Sequence, residues 1–170
     1  MEPIFPNYPE SSRVWIFQGD RPLSPADHEF AETTLHSFIS NWKSHGNPMV
    51  ASFKILYNQF VVIALNTASG HEASGCGIDG LVKVMKVIGE KTKIDFLNNA
   101  NIAFLKNQNI YIIKHTQLKN EIEKGVINQD DKVFINSITS LSEVNKKWLV
   151  PVNESWISKY FKTKILQEKQ

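Results

Sequence analysis

Val50-Ala51-Ser52-Phe53-Lys54-Ile55-Leu56-Tyr57-Asn58-Gln59-Phe60-Val61-Val62-Ile63-Ala64-Leu65 decides the fold class. Residues 50–57 and 60–65 carry the β-branched and aromatic content of strands, and Asn58-Gln59 supplies the polar pair of a tight turn. Strands joined by so short a loop pair antiparallel, because a parallel return needs a long crossover. Upstream, Arg13-Val14-Trp15-Ile16-Phe17 reads as a further strand, broken by Gly19 and Pro22. Ser24-Pro25-Ala26-Asp27 opens a helix: a capping serine, proline at the first helical position and an acid three residues after the cap. Ala31, Leu35, Phe38, Ile39 and Trp42 then recur at helical spacing, and Gly46-Asn47-Pro48 stops the run.

Downstream, Ile78, Leu81, Val82, Met85 and Ile88 mark a second amphipathic helix. A second hairpin is expected around Asn107-Gln108-Asn109, followed by a short helix at Leu118 and Ile122 closed by Gly125. Val133 to Ile135 reads as a short extended segment. Ser140-Leu141-Ser142-Glu143 is a second capping box, opening a helix that ends near Trp148, and Pro151 breaks the chain. Hairpins outnumber βαβ alternations. The pattern therefore predicts an α+β fold, a mainly antiparallel sheet with helices on one face, with a ferredoxin-like arrangement plus an added hairpin as the specific topology. Residues 1–12 are read as an extended arm anchored by Ile4, Phe5 and Tyr8, residues 13–161 as one α+β domain, and residues 162–170 as a frayed tail.

The 170 residues carry 42% apolar and 21% charged side chains and a net charge of +2, which excludes the composition of a disordered chain. So small a net charge gives no support for binding nucleic acid by phosphate neutralisation. No apolar run is long enough for a membrane span and residues 1–12 do not have the pattern of a signal peptide. The single cysteine cannot form an internal disulfide, and a cytoplasmic setting is expected.

Four of the eight glycines, the cysteine and a histidine fall within Gly70-His71-Glu72-Ala73-Ser74-Gly75-Cys76-Gly77-Ile78-Asp79-Gly80. Gly70 and Gly75 have the spacing of a Walker A loop, but Cys76-Gly77 stands where lysine and a hydroxyl are needed to hold phosphate and Mg²⁺. Gly75, Gly77 and Gly80 match the letters of a dinucleotide fingerprint without the βαβ context it requires. Two functional readings remain. In the first, Ser74, Gly75 and Gly77 bind a small ligand or anion through backbone N–H groups at the helix start. In the second, Cys76 is a thiol nucleophile or redox sensor, its thiolate favoured by the helix dipole, with His71 as base and Asp79 orienting it. Cys76 as a packing residue in a tight turn is the blander alternative. No metal-ligand spacing links the cysteine to His28, His36, His45, His71 or His115, and no cofactor is expected.

Pro6-Asn7-Tyr8-Pro9-Glu10-Ser11-Ser12-Arg13-Val14-Trp15-Ile16, Leu56-Tyr57-Asn58-Gln59-Phe60, Ala73-Ser74-Gly75-Cys76-Gly77-Ile78-Asp79, and Trp148-Leu149-Val150-Pro151 with Ser155-Trp156 together resemble a family of short uncharacterised bacterial proteins. Some of these carry the label ABC transporter ATPase, which the missing Walker A lysine does not support. The resemblance covers nearly the full length and adds weight to the glycine-rich segment as the place of a site. The reading is of a protein that binds a small ligand or another protein, without nucleic acid and without a membrane span.

Overall fold

The structure, a computed structural model, describes residues 3–70 and 72–161, without the side chains of Ser69 and Cys76. It is α+β with antiparallel pairing in every sheet. In chain order it contains β1 (Arg13–Gln18), α1 (Pro25–Asn41), β2 (Lys43–Ser44), β3 (Asn47–Pro48), β4 (Ala51–Leu56), β5 (Phe60–Leu65) and α2 (Gly75–Thr92). Then come β6 (Asn101–Lys106), β7 (Asn109–Lys114), α3 (Leu118–Glu123), β8 (Lys132–Phe134), α4 (Leu141–Lys147) and β9 (Leu149–Pro151). The strands form a sheet of order β1-β5-β4, a β2-β3 ribbon and a sheet of order β7-β6-β8-β9. They are not joined into the single ferredoxin-like sheet that hairpin counting suggested. The chain, of which residues 13–161 are read from the sequence as one domain, divides into two compact units: residues 1–98 with 136–146, and residues 99–135 with 147–170.

In the first unit all six residues of β5 are buried. Val61, Ile63 and Leu65 face a core built from Ala31 and Leu35 of α1 and Leu81, Met85 and Ile88 of α2. The alternate residues Phe60, Val62 and Ala64 are equally buried. A strand buried on both faces reads as a continuous apolar run, as Phe60-Val61-Val62-Ile63-Ala64-Leu65 does. The arm is anchored by Ile4 and Phe5, both buried, and the Ile4 N–H donates to Asn145 Oδ1 of α4.

Local rules explain the element ends. Ser24 accepts from the Asp27 N–H while the Asp27 carboxylate accepts from the Ser24 N–H, the reciprocal capping box. Hydrogen bonds from the Ser24 hydroxyl and then the Ser24 backbone hold the Asp27 carboxyl below its ordinary range. The first hairpin turns at Tyr57 and Asn58, with φ of 54° and 51°, one residue earlier than the sequence suggested. Gln59 is buried instead, exchanging hydrogen bonds with Gly19 through its side chain and its carbonyl. Near Pro151 a break was expected, and β9 pairs with β8 there.

The end of α2 depends on one glycine. Lys93 caps the helix in the left-handed region, at φ 59° and ψ 33°, with its N–H donated to the Gly89 carbonyl. The reversal brings the Ile94 carbonyl so close that a Cβ on Gly89 would stand 2.7 Å from its oxygen. Gly89→Ala should therefore cost about 1–3 kcal/mol of stability by forcing the backbone apart. Lys93→Gly should be neutral or stabilising by about 1 kcal/mol, since glycine pays no left-handed penalty. Denaturant unfolding of the two variants checks both signs.

Candidate functional site

The glycine-rich segment becomes the start of α2. Ser74 is its N-cap, with φ −73° and ψ 171°, and its Oγ accepts from the Gly77 N–H at 3.4 Å. Ser44, buried at the end of β2, ties this cap to the body: its Oγ donates to Ser74 Oγ at 2.7 Å and accepts from the Ser74 N–H at 3.1 Å. Trp42, the C-cap of α1, donates its indole Nε1–H to the Gly77 carbonyl at 3.1 Å. A Cβ on Gly77 would meet Trp42 Nε1 at 3.4 Å, and one on Gly80 would meet Phe38 Cε2 at 3.4 Å. Trp42 is held in turn by Phe38 and Trp15, with ring centroids at 5.5 Å and 5.9 Å.

These contacts give each glycine a place. Gly70 sits at φ 75°, the left-handed conformation that closes a short 3₁₀ turn over Thr67–Ser69. Gly77 and Gly80 mark the close approach of α2 to the end of α1. Gly75 is exposed and open on its Cα. The Ser74 hydroxyl is already engaged, and Gly77 is buried. Asp79 lies exposed on α2. His71 and the side chain of Cys76 lie outside the described residues; the Cys76 backbone falls in the first turn of α2. The described residues thus join Ser74 and Gly77 by a hydrogen bond.

A cleft of about 410 Å³ borders the same segment, lined by Ser11, Arg13, Leu65, Thr67, Glu72, Ala73, Thr139 and Ser140. Its size falls within the range of small-molecule sites. The Arg13 guanidinium carbon stands 5.0 Å from the Trp15 ring centroid, so the indole face limits its movement. No acid pairs with Arg13 among the described residues. Arg21, the other arginine, is committed: it bonds Asp27 and the carbonyls of Pro22 and Thr92. Ser11 Oγ and Thr67 Oγ1 share a hydrogen bond of 3.2 Å across the cleft wall, and Ser140 Oγ donates to Glu143 Oε2 at 3.1 Å. Ser140 reaches the cleft because it forms a bridge opposite Arg13, and the Val14 N–H donates to the Thr139 carbonyl.

Sequence reading placed the candidate site in the glycine run and did not single out Arg13, Ser11, Thr67, Thr139 and Ser140, which line the cleft beside it. The one sequence signal was Arg13 itself, one of two arginines, two residues before Trp15 and so on the same strand face. The contact with Ser140, far away in the chain, left no local pattern. Among the described residues no group of three or more histidine, cysteine, aspartate or glutamate side chains could hold a metal ion, and no helix is long and apolar enough to cross a membrane. No protein-family model, curated protein or solved structure matches the chain.

The Ser44 hydroxyl carries two hydrogen bonds at a buried position. Ser44→Ala leaves the Ser74 N–H without its acceptor and should lower stability by about 1–3 kcal/mol. Equilibrium unfolding measures the loss, and amide exchange should show it concentrated in the first turn of α2.

Proposed function

We propose that the protein binds a small anionic molecule in the cleft beside the glycine-rich segment. The observation that carries this reading is the Arg13 guanidinium: held against Trp15, without an acid partner among the described residues, and at the edge of a cleft rich in hydroxyls. A carboxylate or phosphate group of the ligand pairs with Arg13, where planar, bidentate hydrogen bonding is available. The Ser11, Thr67 and Thr139 side chains offer hydroxyls to the rest of the ligand, and Glu72 accepts from a donor on it. Leu65 and Ala73 supply apolar wall. The segment 70–80 contributes Glu72 and Ala73 directly. Its helix-start donors at Ser74 and Gly77 support the wall from within, since Ser44 and Ser74 already satisfy them.

Calorimetric titration with phosphate, sulfate, small carboxylates and common nucleotides tests the reading. At least one anion class should bind saturably, and Arg13→Met should weaken it about tenfold or more, the effect of losing a charge-assisted hydrogen bond. Absence of saturable binding across the panel, or binding indifferent to Arg13→Met, would contradict it.

A further inference from the structure

The cleft beside Arg13 is lined by a second charged side chain, Glu72. Register and packing place the two on one side of the sheet. Arg13 pairs with Leu65 and Trp15 with Ile63, so these four side chains share a face. Leu65 and Ile63 belong to the core that α1 and α2 cover, and Ala73 packs against that core. Glu72, the neighbour of Ala73, therefore lines the cleft from the segment that lies over the Arg13 face. Among the described residues neither Arg13 nor Glu72 forms an ion pair. Both side chains are exposed, so each is free to meet a ligand.

One cation and one carboxylate give the lining a balanced charge. A further carboxylate, Glu143, lies next to the cleft: it accepts from the Ser140 hydroxyl at 3.1 Å and from the Thr139 N–H at 3.4 Å. That balance selects among anions. A phosphate or sulfate dianion gains one pairing with Arg13 and leaves its second charge beside carboxylates, and like charges set close together are unfavourable. A molecule with one carboxylate and one ammonium group satisfies both sides. Its carboxylate accepts two parallel hydrogen bonds from the Arg13 guanidinium. Its ammonium donates to Glu72, and the group has two more protons to place. Ser11 Oγ and Thr67 Oγ1 share one hydrogen bond and keep lone pairs for them. Leu65 and Ala73 give a short aliphatic chain its apolar contact.

We propose that the ligand of this cleft is a zwitterionic amino acid, its carboxylate on Arg13 and its ammonium on Glu72, which presupposes the Arg13 anion site and narrows what it takes. Calorimetric titration of the full chain with alanine, β-alanine and γ-aminobutyrate, which differ in the separation of their two charges, tests it against three sets of controls. These are propionate and butyrate, which lack the ammonium; ethylamine and propylamine, which lack the carboxylate; and inorganic phosphate. At least one amino acid should bind saturably, and its controls at least about tenfold more weakly, the effect of losing a charge-assisted hydrogen bond. Glu72→Gln should weaken the amino acid by about the same factor and leave propionate and butyrate no weaker than in the parent. Because Glu72 is exposed, its melting temperature should stay that of the parent. Arg13→Met should weaken amino acids and plain carboxylates alike. Phosphate or a plain carboxylate binding as tightly as any amino acid, or amino-acid binding indifferent to Glu72→Gln, would overturn the zwitterion and leave the anion site standing. No saturable binding by any of these compounds would overturn both.

Discussion

The contact between the Trp42 indole and Gly77 is the constraint on which the first unit depends. Trp42 ends α1, and Gly77 lies in the first turn of α2. The indole donates to the Gly77 carbonyl at 3.1 Å and packs close to the Gly77 Cα. Once made, the contact fixes where α2 begins. Ser44 follows Trp42 by two residues, so the same placement brings its hydroxyl to Ser74. The cap then sets the path of residues 72–74, and with it the Glu72 and Ala73 wall of the cleft. Hydrogen bonds from Trp42 and Ser44 thus link helix packing to the shape of a candidate binding site.

Elements with local signatures were legible in the sequence. The capping box at Ser24, the apolar stripes of α1 and α2 and both hairpins follow from short-range rules that depend on neighbouring residues. The α+β class followed from them. What short-range rules do not carry was missed. Nothing local to Gln59 marks it as buried and bonded to Gly19, so the turn was placed one residue late. Nothing in Leu149-Val150-Pro151 shows that β8 awaits it as a partner; proline is tolerated there because β9 is an edge strand. The grouping of strands into two sheets and a two-stranded ribbon is set by pairing that hairpin counting cannot see.

The candidate site shows the same division. Within the cluster of glycines, Gly77 and Gly80 pack against Trp42 and Phe38, and Gly70 takes the left-handed conformation that glycine favours. The cleft beside it is lined by residues brought in by distant chain: Arg13 at the start of β1, Thr67 after β5, and Thr139 and Ser140 before α4. Whole-chain charge is an average of the same kind. A net of +2 averages an acidic unit with a basic one, and an average cannot show a patch.

Hydrogen exchange of the four tryptophan indole N–H groups, resolved by nitrogen-edited NMR and assigned through Trp42→Phe, tests the central contact most directly. Trp42 is 5% exposed and its N–H is donated to a backbone carbonyl, so its exchange should be as slow as that of the amides of β5 and should quicken in Gly77→Val. An indole N–H at Trp42 that exchanges as fast as that of an exposed tryptophan would contradict the account.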